Sequence, residues 1–170
     1  MTQRLLTTLT FVTAMAAVLG CAPDSTRQAV ASIPLGSAWQ LPDGQNTISG
    51  RASLVSRSGY VRTCEGNAVY LIPMTPASTA LMVRLFGQAS GGYASRFEFQ
   101  QQPEGLLKSG RQVDCRQDGA FTFERVPDGS YYVITDVTWL LRLVQEGAAL
   151  GTLVQVDGGK AIELDLRHAY

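Results

Sequence analysis

Three patterns of apolar and polar positions follow one another along the chain. Leu5 to Leu19 is an apolar run diluted by four threonines. Residues 22 to about 46 show no sustained period and are dominated by Ser, Ala, Gly, Pro, Asp and Gln. From Thr47 onward, short alternating runs are separated by turn residues. Alternation with period two marks a half-buried strand, because successive side chains leave opposite faces. Ile48, Gly50, Ala52, Leu54 and Ser56 against Ser49, Arg51, Ser53 and Val55 predict a first, weakly biased strand. Val61 to Ile72 predicts a second, with Gly66-Asn67 as a bulge or turn within it. Val69 and Leu71 fall on one face there, and Tyr70 and Ile72 on the other. Tyr131 to Trp139 is strongly β-prone, with Tyr131, Val133, Thr135, Val137 and Trp139 sharing a face. Gly147 to Gly151 predicts a turn region. Leu153 to Val156 and Ala161 to Leu166, joined by Asp157-Gly158-Gly159, predict a final hairpin.

One stretch breaks the β pattern. Thr75-Pro76 makes a helix start, with Thr75 as N-cap and Pro76 at the first position. Leu81, Met82, Leu85 and Phe86 carry the helical spacing, and Gly87 ends it. Ser90 to Tyr93 predicts a loop, and Phe97 and Phe99 alternate with Arg96 and Glu98 as in a strand. About seven short strands with regular turn signals predict an all-β, antiparallel sandwich of the immunoglobulin-like or transthyretin-like kind, with one short inserted helix.

The apolar run at the N-terminus has Arg4 before it and only small residues near its end, the layout of a secretory signal. It is too short and too rich in threonine for a spanning helix, which takes about 20 apolar residues. Val18-Leu19-Gly20-Cys21 resembles the lipobox of bacterial lipoproteins. That resemblance implies removal of residues 1–20, lipidation at Cys21 and a flexible tether over 21–46 leading to a domain over 47–170. The membrane partner is then the N-terminal lipid. Ala22, rather than Asp, after the cysteine implies an outer-membrane destination facing the periplasm. Ala14-Met15-Ala16 offers the alternative of ordinary cleavage and a soluble periplasmic product.

Net charge is zero for the whole chain, and loss of Arg4 alone shifts it to −1. No basic cluster is dense enough to neutralise nucleic-acid phosphates. With Cys21 taken by lipid, Cys64 and Cys115 remain as an even pair in an oxidising compartment, and a disulfide between them is expected. Two free buried thiols are the alternative. A zinc site is disfavoured, because the chain has one histidine, His168.

The segment from Asp118 to Val133, Asp-Gly-Ala-Phe-Thr-Phe-Glu-Arg-Val-Pro-Asp-Gly-Ser-Tyr-Tyr-Val, resembles the carboxypeptidase-regulatory-like domains, a branch of the transthyretin-like sandwiches. Ile48-Ser49-Gly50-Arg51-Ala52 and Asn67 to Pro73 are similar to their first two strands. The chain departs from the simple module in an insertion, roughly Met74 to Ser109, that holds the predicted helix. The resemblance implies a fold and leaves function open, because such modules serve many proteins.

No catalytic set is expected. Metallocarboxypeptidase chemistry needs two histidines, and a Ser-His-Asp hydrolase would have only His168, which is most simply a tail residue, and no nucleophile elbow. Paired carboxylates for glycoside hydrolysis are not apparent, although Asp136 sits among apolar and aromatic neighbours, in a groove or paired with an arginine. No cofactor or metal is expected. The reading that remains is a non-catalytic, membrane-anchored envelope lipoprotein with a binding or scaffolding role and an unidentified envelope partner. Alternatives are a subunit of an envelope machine, similar to the lipidated transthyretin-like protein of type VI secretion, and, further off, a cell-wall hydrolase.

Overall fold

The computed structural model describes residues 41–95 and 110–169. Residues 1–20, Cys21, most of the expected tether with Trp39, and the Phe97-Phe99 alternation lie outside the described residues. Among the described residues, nine strands and one helix follow one another as β1 (Asn46–Val55), β2 (Val61–Thr63), β3 (Ala68–Pro73), α1 (Pro76–Phe86), β4 (Gly91–Ser95), β5 (Arg111–Asp114), β6 (Ala120–Val126), β7 (Gly129–Leu141), β8 (Val144–Val156) and β9 (Ala161–Ala169). They form a two-sheet sandwich. In the first sheet β1 is central, with β9 along one side and β6 then β2 along the other. The second sheet runs β4-β8-β7-β3-β5, all antiparallel.

The core between the sheets follows from alternation. Ile48, Ala52 and Leu54 of β1 point inward with Phe121 and Phe123 of β6. Val69 and Leu71 of β3, Tyr131, Val133 and Val137 of β7, and Ala148, Leu150 and Val154 of β8 meet them from the second sheet. The other face of that sheet is also apolar. Ile72, Tyr132, Ile134 and Ala149 pack there against Leu81, Met82 and Leu85 of α1. This explains why Tyr70 and Ile72 are as apolar as the residues opposite them. The helix is framed as its caps predict. Thr75 Oγ1 accepts from Ser78 N at 3.1 Å, and Thr75 N donates to Ser78 Oγ at 2.7 Å. Gly87, at φ 73°, closes the last turn by donating to the Val83 carbonyl at 2.9 Å. A cap of this kind contributes about 1 kcal/mol.

Four expectations from the sequence are corrected. Val61 to Ile72 is two strands in different sheets, and Gly66-Asn67 lies in the crossover between them. The final pair is not a hairpin. β8 belongs to the second sheet, and β9 runs parallel to β1 from Thr47↔Ala161 to Val55↔Ala169. Gly147 to Gly151 is not a turn but the middle of β8. Ser90 to Tyr93 is a loop only at its start, because β4 opens at Gly91.

The glycines of β8 serve close approach instead. Any Cβ on Gly147, at φ 141°, would stand 2.1 Å from the Val137 carbonyl oxygen, and one on Gly151 would stand 2.6 Å from the Phe86 ring. The true turn is Arg142-Leu143, a two-residue connection with both residues at positive φ, 49° and 68°. That is the backbone usually supplied by Asn-Gly, so periodicity alone gave no signal for it.

The chain before β1 is held to the sandwich. Arg111 of β5 donates through Nη1 to the carbonyls of Glu124 and Arg125, and through Nη2 to those of Leu41 and Pro42 at 3.1 and 2.8 Å. Asp43 also pairs with Arg125 at 2.8 Å, and Leu41 packs on the core. Residues 41–45, expected in the tether, are thus an ordered approach to β1, and Asn46, expected there too, opens the strand.

Candidate binding groove at the open end of the sandwich

The inter-sheet core stops at the facing pair Val137 and Ala148. β7 and β8 continue beyond it as a projecting ladder, while β1 ends at Val55 and turns through Ser56–Tyr60 into β2. The two sheets therefore leave a groove of about 580 Å³ at this end. The first sheet lines it with Ser56, Arg57, Ser58, Tyr60 and Arg62, and the second with Tyr93, Ser95, Trp139, Leu141 and Glu146.

Each wall is fixed locally. Serines shape the β1–β2 turn. Tyr60 N donates to Ser56 Oγ at 3.1 Å, and Gly59 N donates to the Ser56 carbonyl at 2.8 Å. On the far wall Trp139 and Glu146 are register partners on adjacent strands. The indole Nε1 donates to Glu146 Oε2 at 3.1 Å, which fixes the plane of the ring. Tyr93 stacks on His168 with centroids 4.1 Å apart and planes 17° apart. That contact joins β4 of one sheet to β9 of the other. Tyr93 also stands between the groove and a second cleft of about 450 Å³, lined by Gln88, Asp165 and Arg167.

The groove combines three aromatic side chains with hydroxyls, two guanidinium groups and one carboxylate. Aromatic faces hold apolar ring surfaces, and convergent donors and acceptors around them give orientation. Glu146 is the one carboxylate lining the groove among the described residues. Beside the groove the β7–β8 tip is apolar: Leu140, Leu143 and Val144 are 72%, 97% and 63% exposed.

The residues singled out from sequence are placed as follows. Cys64 and Cys115 are joined by a disulfide, with Cα atoms 5.7 Å apart. Asp136 is half-buried, opposite Ala149, on the helix-covered face of the second sheet and so away from the groove. His168 is not a tail residue; it belongs to β9, opposite Leu54. Sequence reasoning missed Arg57, Tyr60 and Arg62, because they converge only when the two sheets are assembled. An exposed tyrosine directly after a serine-glycine turn was the one local signal for the site.

No family profile matches the chain, and no curated protein matches it. Among solved structures it is similar to the crystal structure of a proposed carbohydrate-binding protein from Pseudomonas aeruginosa. The TM-score is 0.59 at 23% identity, over 74% of this chain and 90% of the other. At that identity the shared property is the all-β sandwich.

Proposed function

We propose that this protein is a lipid-anchored envelope protein that binds a carbohydrate in the groove without transforming it. The observation that supports it best is the groove itself, an aromatic and polar cleft between two braced sheets. The Pseudomonas aeruginosa structure of the same fold, with its proposed carbohydrate-binding role, supports the same class of ligand. A lone carboxylate among the described groove residues, already engaged by an indole N–H, supports binding rather than glycoside hydrolysis, which takes two. The alternative of a secretion-machine subunit drew on the inserted helix. The apolar side of α1 is covered by the second sheet, so packing accounts for it.

Two expected results test this reading. In a Trp39→Phe background, fluorescence reports Trp139 alone. Titration with oligosaccharides should quench or shift it, and Trp139→Ala should weaken binding about tenfold or more by calorimetry. Equal affinity in a variant whose thermal melt is intact would remove Trp139 from the site. Cys21→Ser should move the protein from the membrane to the soluble fraction, since anchoring by acyl chains rests on about 0.8 kcal/mol per buried methylene. A serine variant that stays with the membrane sinks the anchor.

A further inference from the structure

We infer that the ligand of the groove is an acidic saccharide, one whose sugar rings carry carboxylates, as in a uronic-acid polymer. The inference rests on the saccharide reading above and adds the charge of the ligand. Arg57 and Arg62 both line the groove from the β1–β2 wall. The Glu146 carboxylate, on the opposite wall, has one oxygen engaged by the Trp139 indole. Among the described residues, two guanidinium groups line the groove against one carboxylate, in a chain whose net charge is zero. The arrangement is segregated, with cations on the first sheet and the indole and carboxylate on the second. A sugar ring laid on Trp139 would turn its edge toward the arginine wall. There a ring carboxylate meets planar N–H forks that match its two oxygens, a fit that neither a hydroxyl nor a lysine reproduces. Tyr60, 66% exposed on the same turn, extends the aromatic surface toward the next ring. Repeated units of a polymer, each with one face and one charge, suit an open groove better than a closed pocket would.

The test is a calorimetric comparison of the full chain with oligogalacturonate and with its methyl ester, a neutral chain of the same sugar and linkage. The acidic oligomer is expected to bind about tenfold more tightly at low salt, with the advantage shrinking as salt rises through about 0.15 M. Arg57→Gln and Arg62→Gln are each expected to weaken the acidic oligomer roughly threefold, and the pair together about tenfold, leaving the neutral one unchanged. Both arginines are exposed, so the fold should survive, which a thermal melt checks. Arg84→Gln, on the exposed side of α1, serves as a charge control and should change neither affinity. Equal binding of both oligomers, or an equal loss in Arg84→Gln, overturns the acidic preference and leaves the saccharide reading standing. Binding of neither oligomer overturns both.

Discussion

Replacing Cys64 and Cys115 together by alanine is expected to lower stability by about 4 kcal/mol, the entropy released when a closed loop of this length opens in the unfolded chain. The cysteines are 51 residues apart. Their positions show what the bridge holds. Cys64 lies where the chain leaves β2 of the first sheet for β3 of the second, and Cys115 where it returns from β5 to β6. The bridge therefore clamps both crossovers at one point. Backbone bonds run beside it, Cys115 N to the Asn67 carbonyl at 3.0 Å and Cys64 N to the Ala52 carbonyl at 3.3 Å. Both sulfurs belong to the buried core, so alanine also leaves small voids. For a domain of this size the loss corresponds to a fall in melting temperature of roughly 10–20 °C. Urea melts with and without reductant measure it, with thiol counting by mass spectrometry to prove reduction. A midpoint that stays put in fully reduced protein contradicts the assignment. In a reducing compartment the same bridge would be absent, and its contribution to stability with it.

The legible parts of this fold are those written in local chemistry. Thr75, Pro76 and Gly87 bracket α1 because caps act within one turn of the helix. The alternation of β1 and β7 could be read because each inward face meets one continuous core. Misreadings arose where a residue type had two possible causes. Gly147 and Gly151 suggest a turn, yet they are glycines because the Val137 backbone and the Phe86 ring press on them. Arg142 and Leu143 are not turn residue types, yet they make a two-residue turn at positive φ, imposed by the thirteen residues paired on each side. Strand partnership was illegible for a different reason. Nothing local in Ala161 to Ala169 tells that it joins β1, more than a hundred residues earlier, in parallel rather than folding back on β8. The groove shares that limit. Its walls come from β1–β2, β4 and the β7–β8 ladder, so its residues are neighbours only through that non-local pairing.

Asn46 shows the same limit in a single side chain, and its replacement carries the second large effect. It stands at the end of a polar, aperiodic stretch, where a tether residue is the natural expectation, yet it is fully buried. Its Nδ2 donates to the Val126 carbonyl at 2.9 Å and to Asp128 Oδ1 at 2.8 Å. Its Oδ1 accepts from Lys160 N at 2.8 Å. Asp128 Oδ1 accepts in turn from Gly158 N at 3.0 Å. One amide therefore ties the start of β1 to the β6–β7 turn and to the β8–β9 connection. Asn46→Ala is expected to cost about 3 kcal/mol, because it removes the partners of the buried Val126 carbonyl and the partly buried Lys160 N–H at once. Asn46→Asp separates hydrogen bonding from size. A carboxylate there faces the Val126 carbonyl and the Asp128 carboxylate, so folding raises its pKa above the ordinary value of about 3.9. Between the unfolded and folded pKa values the native state holds more protons than the unfolded chain. The variant therefore loses stability, relative to the parent, as pH rises through that interval, and recovers toward the parent below about pH 4. Urea melts of parent and variant at pH 4 and pH 7 read the gap directly. A gap of the same size at both values would show that the Asn46 amide is not facing acceptors, and the three-way tie would have to be redrawn.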